Sequence, residues 1–329
     1  MPLKNPIIPE SGDIAFDAKQ ELSDFESMLL IRRFEEKLGL LVAIGVLEAH
    51  GNTSVGKEAL RVGMASAVRP ADLIVSSTGC IGPLLAKGVD PKIVFEGLAD
   101  AGRRTSAGEV VAFDETAATH FDCIDCASAS VGFAHAVSAA RNNRAKSDPR
   151  VCLVTIESTD ASAVGMTEAL REAVEGRLAI VVIVENTESQ TAPRDAGSGL
   201  ALIQAIVKKN AIAFASIDGI EVRNVRAAIL DALDRARRGG GPSLVEVRTW
   251  AWVGHGATDP RATPGVIPRP REETDPVERA RARILSSQIS TESKLAALDK
   301  KIRERVRAAA NALTNACEPE TAKGLSRAG

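Results

Sequence analysis

The chain has 329 residues, 45% of them hydrophobic, with 41 Lys+Arg against 43 Asp+Glu for a net charge of −2. That is enough apolar material for a sizeable core, while the near-neutral balance and 3% aromatic content exclude a basic, base-stacking nucleic-acid binder. No run reaches the roughly 18 apolar residues of a membrane span, and five cysteines in a chain this long do not read as a disulfide framework.

The N-terminus, Met1 to Pro6, lacks an apolar signal core. These features together predict a soluble, reduced, cytoplasmic protein with neither a nucleic-acid nor a membrane partner. Residues 1–22 read as an arm, 23–316 as one α/β domain ending in helices, and 317–329 as a tail.

In chain order, a helix is expected from Ser23 to about Ile44, with Phe25, Met28, Leu29, Phe34, Leu38 and Leu41 at helical spacing and Gly45 as its stop. Gly56 to Leu60 opens a second helix. Leu73-Ile74-Val75 is a short strand, Gly79 to Gly88 a loop and helix, and Asp90-Pro91 a further helix start. Residues Gly102 to Asp125 read as a long polar loop. Ala127 to Arg141 is an Ala-rich helix suited to close packing.

A βαβ unit follows. Val151 to Ile156 is strand-like, Met166, Ala169, Leu170, Ala173 and Val174 form one helix face, and Leu178 to Val184 is apolar throughout, as a buried parallel strand should be. Ile212 to Ile217 is a strand, Asn224 to Arg238 a helix, and Ser243 to Val253 another strand. Gly254 to Thr274 is a Pro- and Arg-rich loop. Asp275-Pro276-Val277-Glu278 caps a helix, and Leu295, Leu298, Ile302, Val306 and Leu313 line a terminal one. The alternation predicts an α/β fold, a doubly wound parallel sheet with flanking helices.

The turn Glu157 to Ser162 joins the first strand of the βαβ unit to its helix. Ligands in open α/β sheets sit at such carboxyl ends. The turn carries hydroxyls but no glycine.

Seven phrases occur in order along the chain: Met28 to Glu36, Gly56-Lys57-Glu58-Ala59, Leu85 to Pro91, Asp218-Gly219, Gly241 to Glu246, Gly254 to Pro260, and Asp275 to Arg279. Together they resemble the α subunit of the E1 component of thiamine-diphosphate-dependent 2-oxo acid dehydrogenases. The resemblance implies a thiamine-diphosphate-binding fold and an α2β2 assembly with an E1 β-like chain. It also implies that the α chain grips the cofactor diphosphate and Mg²⁺.

The family grip is a Gly-Asp-Gly turn after one strand and an Asn-Asn pair after the next. The glycines admit the phosphates and the side-chain oxygens hold Mg²⁺. Here Glu157-Ser158-Thr159 and Asn186-Thr187 fall on those positions. Ser158, Asp160, Asn186 and Thr187 are therefore the candidate cofactor residues. A slip of two residues would make Asp160 and Asn186 the metal ligands, but without flanking glycines Cβ atoms would crowd the phosphates. The family's Tyr-Arg-x-His anchor falls on Thr78-Gly79-Cys80-Ile81, and its histidine before Gly-Gln-Glu-Ala falls on Asn52. His255 is the surviving polar anchor and the candidate catalytic residue, positioned by the resemblance to touch substrate or shuttle protons.

Two functions follow as alternatives. One is an E1 α-like subunit acting on a 2-oxo acid, by decarboxylation or acyl or ketol transfer, with an altered cofactor site. The other is a non-catalytic paralogue that scaffolds or regulates a β-type partner or binds another small molecule. His120, Cys123 and Cys126 at short spacing could also hold zinc, although a structural zinc site needs four ligands. His135 reads as a core or interface histidine, and Glu58 as a helix-supporting residue.

Overall fold

The computed structural model describes residues 17–47, 53–104, 111–113, 122–126, 128–162, 166–189, 198–210, 212–251 and 274–317. The chain begins with helix α1 (Ala18–Ala43), α2 (Glu58–Ala67), strand β1 (Leu73–Ser76), α3 (Ile81–Ala86) and α4 (Pro91–Arg104). Next come β2 (Val111–Phe113), β3 (Asp122–Asp125), α5 (Ala129–Ala145), β4 (Cys152–Glu157) and a 3₁₀ turn (Ser158–Ser162). Then follow α6 (Met166–Glu175), β5 (Ile180–Ser189), α7 (Ser198–Asn210), β6 (Ala213–Asp218), α8 (Val222–Arg237) and β7 (Ser243–Ala251). Two helices close the described chain, α9 (Pro276–Ser286) and α10 (Glu292–Cys317).

The seven strands form one sheet in the order β2-β3-β1-β4-β5-β7-β6. Six run parallel, and only β2 pairs antiparallel, against β3. This matches the expected α/β architecture. From β1 the chain builds outward to β3 on one side and then returns to place β4 on the other. The crevice beyond β1 and β4 is thus a topological switch point.

The strands are buried on both faces. Ile74, Leu153, Val181, Ile183, Val245 and Val247 join one core cluster with α1, α2, α8 and α10. Val75, Val154, Ile156, Val182 and Val184 join a second with α5 and α6. Strand alternation divides successive residues between the two cores, which is why β5 reads as unbroken apolar sequence.

Three elements differ from the sequence reading. Helix α1 starts five residues before Ser23, because the Asp17 side chain accepts hydrogen bonds from the Lys19 and Gln20 backbone amides and caps it there. The 102–125 stretch is not wholly a loop. It contains β2 and β3, and β3 gains strand geometry by pairing in register with β1, Leu73 to Asp122 through Ser76 to Asp125. Helix α7 had no counterpart among the predicted elements. Among the described residues no helix is long and apolar enough to cross a membrane.

The cysteine reading is also corrected. Cys80 and Cys123 form a disulfide, with Cα atoms 6.2 Å apart. The parallel pairing of β3 with β1 brings together two residues 43 positions apart, which an odd cysteine count cannot reveal.

Candidate functional site

On the face that carries α2, the apolar rows of the sheet turn polar at their carboxyl ends. Ile74 is followed two residues on by Ser76, Leu153 by Thr155 and Glu157, Ile183 by Glu185 and Thr187, and Val247 by Thr249. Period-two alternation places these polar side chains on the same face as the core residues before them. Glu157 and Glu185 are register partners on β4 and β5, so their carboxylates leave the sheet side by side, next to the switch point between β1 and β4.

Helix α2 supplies the opposite charges. Lys57, its N-cap residue, and Arg61 are one helical turn apart and project onto the same patch. Lys57 Nζ lies 2.5 Å from Glu157 Oε1 and 3.1 Å from Glu185 Oε2. Arg61 forks both Nη atoms onto the two oxygens of Glu185, with Nη2 to Oε2 at 3.0 Å. The Thr78 hydroxyl donates to Glu185 Oε1 at 2.6 Å, and the Thr187 hydroxyl donates to Glu157 Oε2 at 3.2 Å. Every carboxylate oxygen of the pair thus accepts at least one hydrogen bond, and two cations face two anions. Ser76, Thr78 and Thr155 complete a hydroxyl cluster beneath them.

Burial makes this arrangement costly to disturb. Arg61 and Glu185 are 0% exposed. Burial alone would raise the Glu185 carboxyl, but Arg61 and then Lys57 hold it down to about 2. Burial, and then the Glu185 charge, push Glu157 upward against the pull of Lys57. Nearby, burial also raises Glu35, while hydrogen bonds from Ser54 and Thr53 oppose the rise. Gly82 leaves room for the arginine, since a Cβ there would lie 2.6 Å from Arg61 Cγ.

The structure places the candidate cofactor residues on the turn after β4 and on β5. Ser158 and Asp160 lie half-buried on the 3₁₀ turn after β4. Asn186 and Thr187 are successive strand residues and face opposite sides of the sheet. Thr187 joins the Glu157 patch and lies 3.2 Å from the Thr249 hydroxyl, whereas Asn186 Nδ2 donates to Glu246 Oε1 at 2.7 Å on the other face. Among the described residues no group of three or more His, Cys, Asp or Glu is placed to hold a metal ion. His255 and His120 fall outside the described residues. Cys123 is committed to Cys80, and Cys126 is buried, its thiol pushed up to about 11 chiefly by that burial. His135 is exposed on α5 rather than in the core.

Sequence reading missed Lys57, Arg61 and Glu185 as site residues. Signals were present. Two cations sit one turn apart in a helix whose other residues are mostly apolar, and an acid directly follows an unbroken apolar strand. Glu157 was noticed only as a residue that displaces a glycine, not as half of an ion pair.

Residues 26–322 match the family model described as dehydrogenase E1 component. The chain is similar to the pyruvate dehydrogenase E1 component subunit alpha of Rhizobium meliloti strain 1021, at 29% identity over 327 residues, covering 95% of this chain and 91% of the relative. It is similar to the subunit of the same description from Zymomonas mobilis at 27% identity, covering 92% and 86%. The testis-specific mitochondrial form from Rattus norvegicus is 24% identical, covering 92% and 77%. A match over nearly the whole described fold, with the strand order and switch point above, identifies the chain as a member of the dehydrogenase E1 component family.

Proposed function

We propose that this chain is an E1 α-type subunit that assembles with an E1 β-type chain as α2β2 without itself gripping thiamine diphosphate and Mg²⁺. It serves to scaffold or regulate the β-type partner. The observation that carries this reading is Glu157. The family resemblance puts the first glycine of the diphosphate turn at this position, and the residue there is a buried carboxylate bound to Lys57. A phosphate oxygen about 4 Å from that carboxylate would meet roughly 4 kcal/mol of repulsion at an effective dielectric near 20. The cations that could offset it, Lys57 and Arg61, are already paired with Glu157 and Glu185.

The donor set is also a poor fit for the metal. Ser158 and Thr187 offer neutral hydroxyls, Thr187 donates its proton to Glu157, and Asn186 faces Glu246 across the sheet. The shifted pairing of Asp160 with Asn186 would require Asn186 to leave that partner and cross to the other face. No reaction step is therefore routed through the cofactor.

Calorimetry on the chain with its co-purified β-type partner, thiamine diphosphate and Mg²⁺ tests the reading. The expected result is no heat of binding at high cofactor concentration. Binding heat, together with a structure showing diphosphate held at Ser158 and Thr187, would overturn it. That outcome would favour the catalytic alternative, in which the subunit acts on a 2-oxo acid and His255 positions substrate.

A further inference from the structure

Lys57 occupies a bridging position. Its ammonium contacts one oxygen from each of two carboxylates that leave adjacent, in-register strands, Glu157 at 2.5 Å and Glu185 at 3.1 Å. A cation shared between oxygens of two strand ends is the arrangement a divalent ion adopts among hard protein oxygens. The other oxygen of Glu157 is taken by Thr187, and both oxygens of Glu185 by Arg61 with Thr78. The ammonium sits on the first turn of α2, and the neighbouring side chain on that turn, Glu58, is pinned by Arg32. The backbone that carries Lys57 is thus held from the opposite side.

We propose that the Lys57 ammonium is the resident cation of this corner, a tethered side chain performing the charge-bridging task of a divalent metal. The carboxyl ends of β4 and β5 are therefore held together without metal or diphosphate. This inference rests on the reading of the corner given under the proposed function and deepens it, by naming the group that makes cofactor-free assembly possible.

The test compares the wild-type full-length chain with Lys57→Gln and with the double variant Lys57→Gln/Glu157→Gln, by thermal unfolding with and without Mg²⁺ or Mn²⁺ and by Mn²⁺ binding through water-proton relaxation. Wild type is expected to be unmoved by either ion. Lys57→Gln leaves an uncompensated carboxylate, so its Tm is expected to drop by roughly 10 °C. Much of that drop returns with the divalent ion, and Mn²⁺ binding appears. The double variant removes one charge of each sign, and it is expected to recover most of the Tm and to ignore the ions.

A Lys57→Gln variant as stable as wild type, or destabilised with no response to the ions, would overturn the proposal. So would a wild-type chain that binds Mn²⁺ alone. Should Lys57→Gln fail to fold, the double variant decides, since near-wild-type stability supports the proposal and a second failure to fold sinks it. Heat on adding cofactor to wild type would remove the functional reading. Indifference of the variants while wild type stays silent to cofactor would remove this inference alone.

Discussion

Lys57 and Glu58 are neighbours in sequence and belong to two different charge networks. Glu58 turns toward α1 and α9, where Arg32 bridges it to Asp275, with Arg32 Nη1 and Nη2 each 3.0 Å from an Asp275 oxygen. It also accepts from the Gly56 amide at 2.9 Å and so supports the start of α2, the helix-supporting role expected of it. Lys57 turns toward the sheet and the pair Glu157 and Glu185. All three residues of the Arg32 network lie in phrases that resemble the family. In the other network, Lys57 stands where the family phrase has glutamine and Glu157 where it has glycine. One network holds helices together and agrees with the family pattern. The other joins α2 to the ends of β4 and β5 and, on that resemblance, departs from it. In both networks each buried charge meets an opposite partner, in one case between helices and in the other between a helix and the ends of two strands.

The largest expected effect lies in the corner where α2 meets the ends of β4 and β5. Arg61→Met removes the bidentate partner of a fully buried Glu185 and is expected to cost about 3–5 kcal/mol in urea unfolding. A loss below about 1 kcal/mol would erase the contrast, because the corner would then be no tighter than a surface pair.

The two networks should also differ in their response to acid. The folded-state Glu185 carboxyl is held to about 2, below its ordinary 4.5. A depressed carboxyl contributes stability above its unfolded value that is lost as pH falls through its folded one. Stability carried by Glu185 is therefore expected to be lost as pH falls from about 5 toward 2, opposed by Glu157, which is raised and gains on protonation. Glu58 is shifted the other way, raised chiefly by burial with Arg32 opposing. A raised carboxyl favours folding at low pH and gives up that contribution as pH rises through its folded value, so Glu58 cannot account for an acid loss. Stability against pH should then flatten on the acid limb in Glu185→Gln and keep its slope in Glu58→Gln. Equal slopes in the two variants would break the distinction.

The smallest effect is expected in the helix network. Arg32→Lys keeps the charge but loses the planar fork that reaches Glu58 and Asp275 at once. A cost of about 2 kcal/mol is expected, with no change in the response of the protein to Mg²⁺. A cation response in this variant would show that the two networks are coupled through the first turn of α2.

Much of the fold was legible in the chain. The apolar run Leu178 to Val184 supplied most of the apolar part of the interior strand β5, and the capping pattern at Asp275 became the start of α9, where the Asp275 side chain accepts from the Val277 amide at 2.9 Å. Such signals are local, set by periodicity and by caps a few residues apart. The strands β2 and β3 were not legible, because three- and four-residue segments take their form from a paired neighbour rather than from their own pattern. The site was half legible. The turn at Glu157 was marked by its place after β4, but its chemistry was read as a missing glycine.

The sequence by itself determined most of the longer strands and helices and the family, because those depend on residue types and spacing along the chain. Only the tertiary structure decided which charged residues meet. Lys57 meets Glu157 across 100 positions and Arg61 meets Glu185 across 124. Such pairs form only when α2 packs over the ends of β4 and β5. Asn186 and Thr187, adjacent in the chain, were parted by the pleat of β5 onto opposite faces. A charge buried without its partner would be prohibitive, so the meaning of each charged residue at this corner lies in the neighbour that folding brings to it.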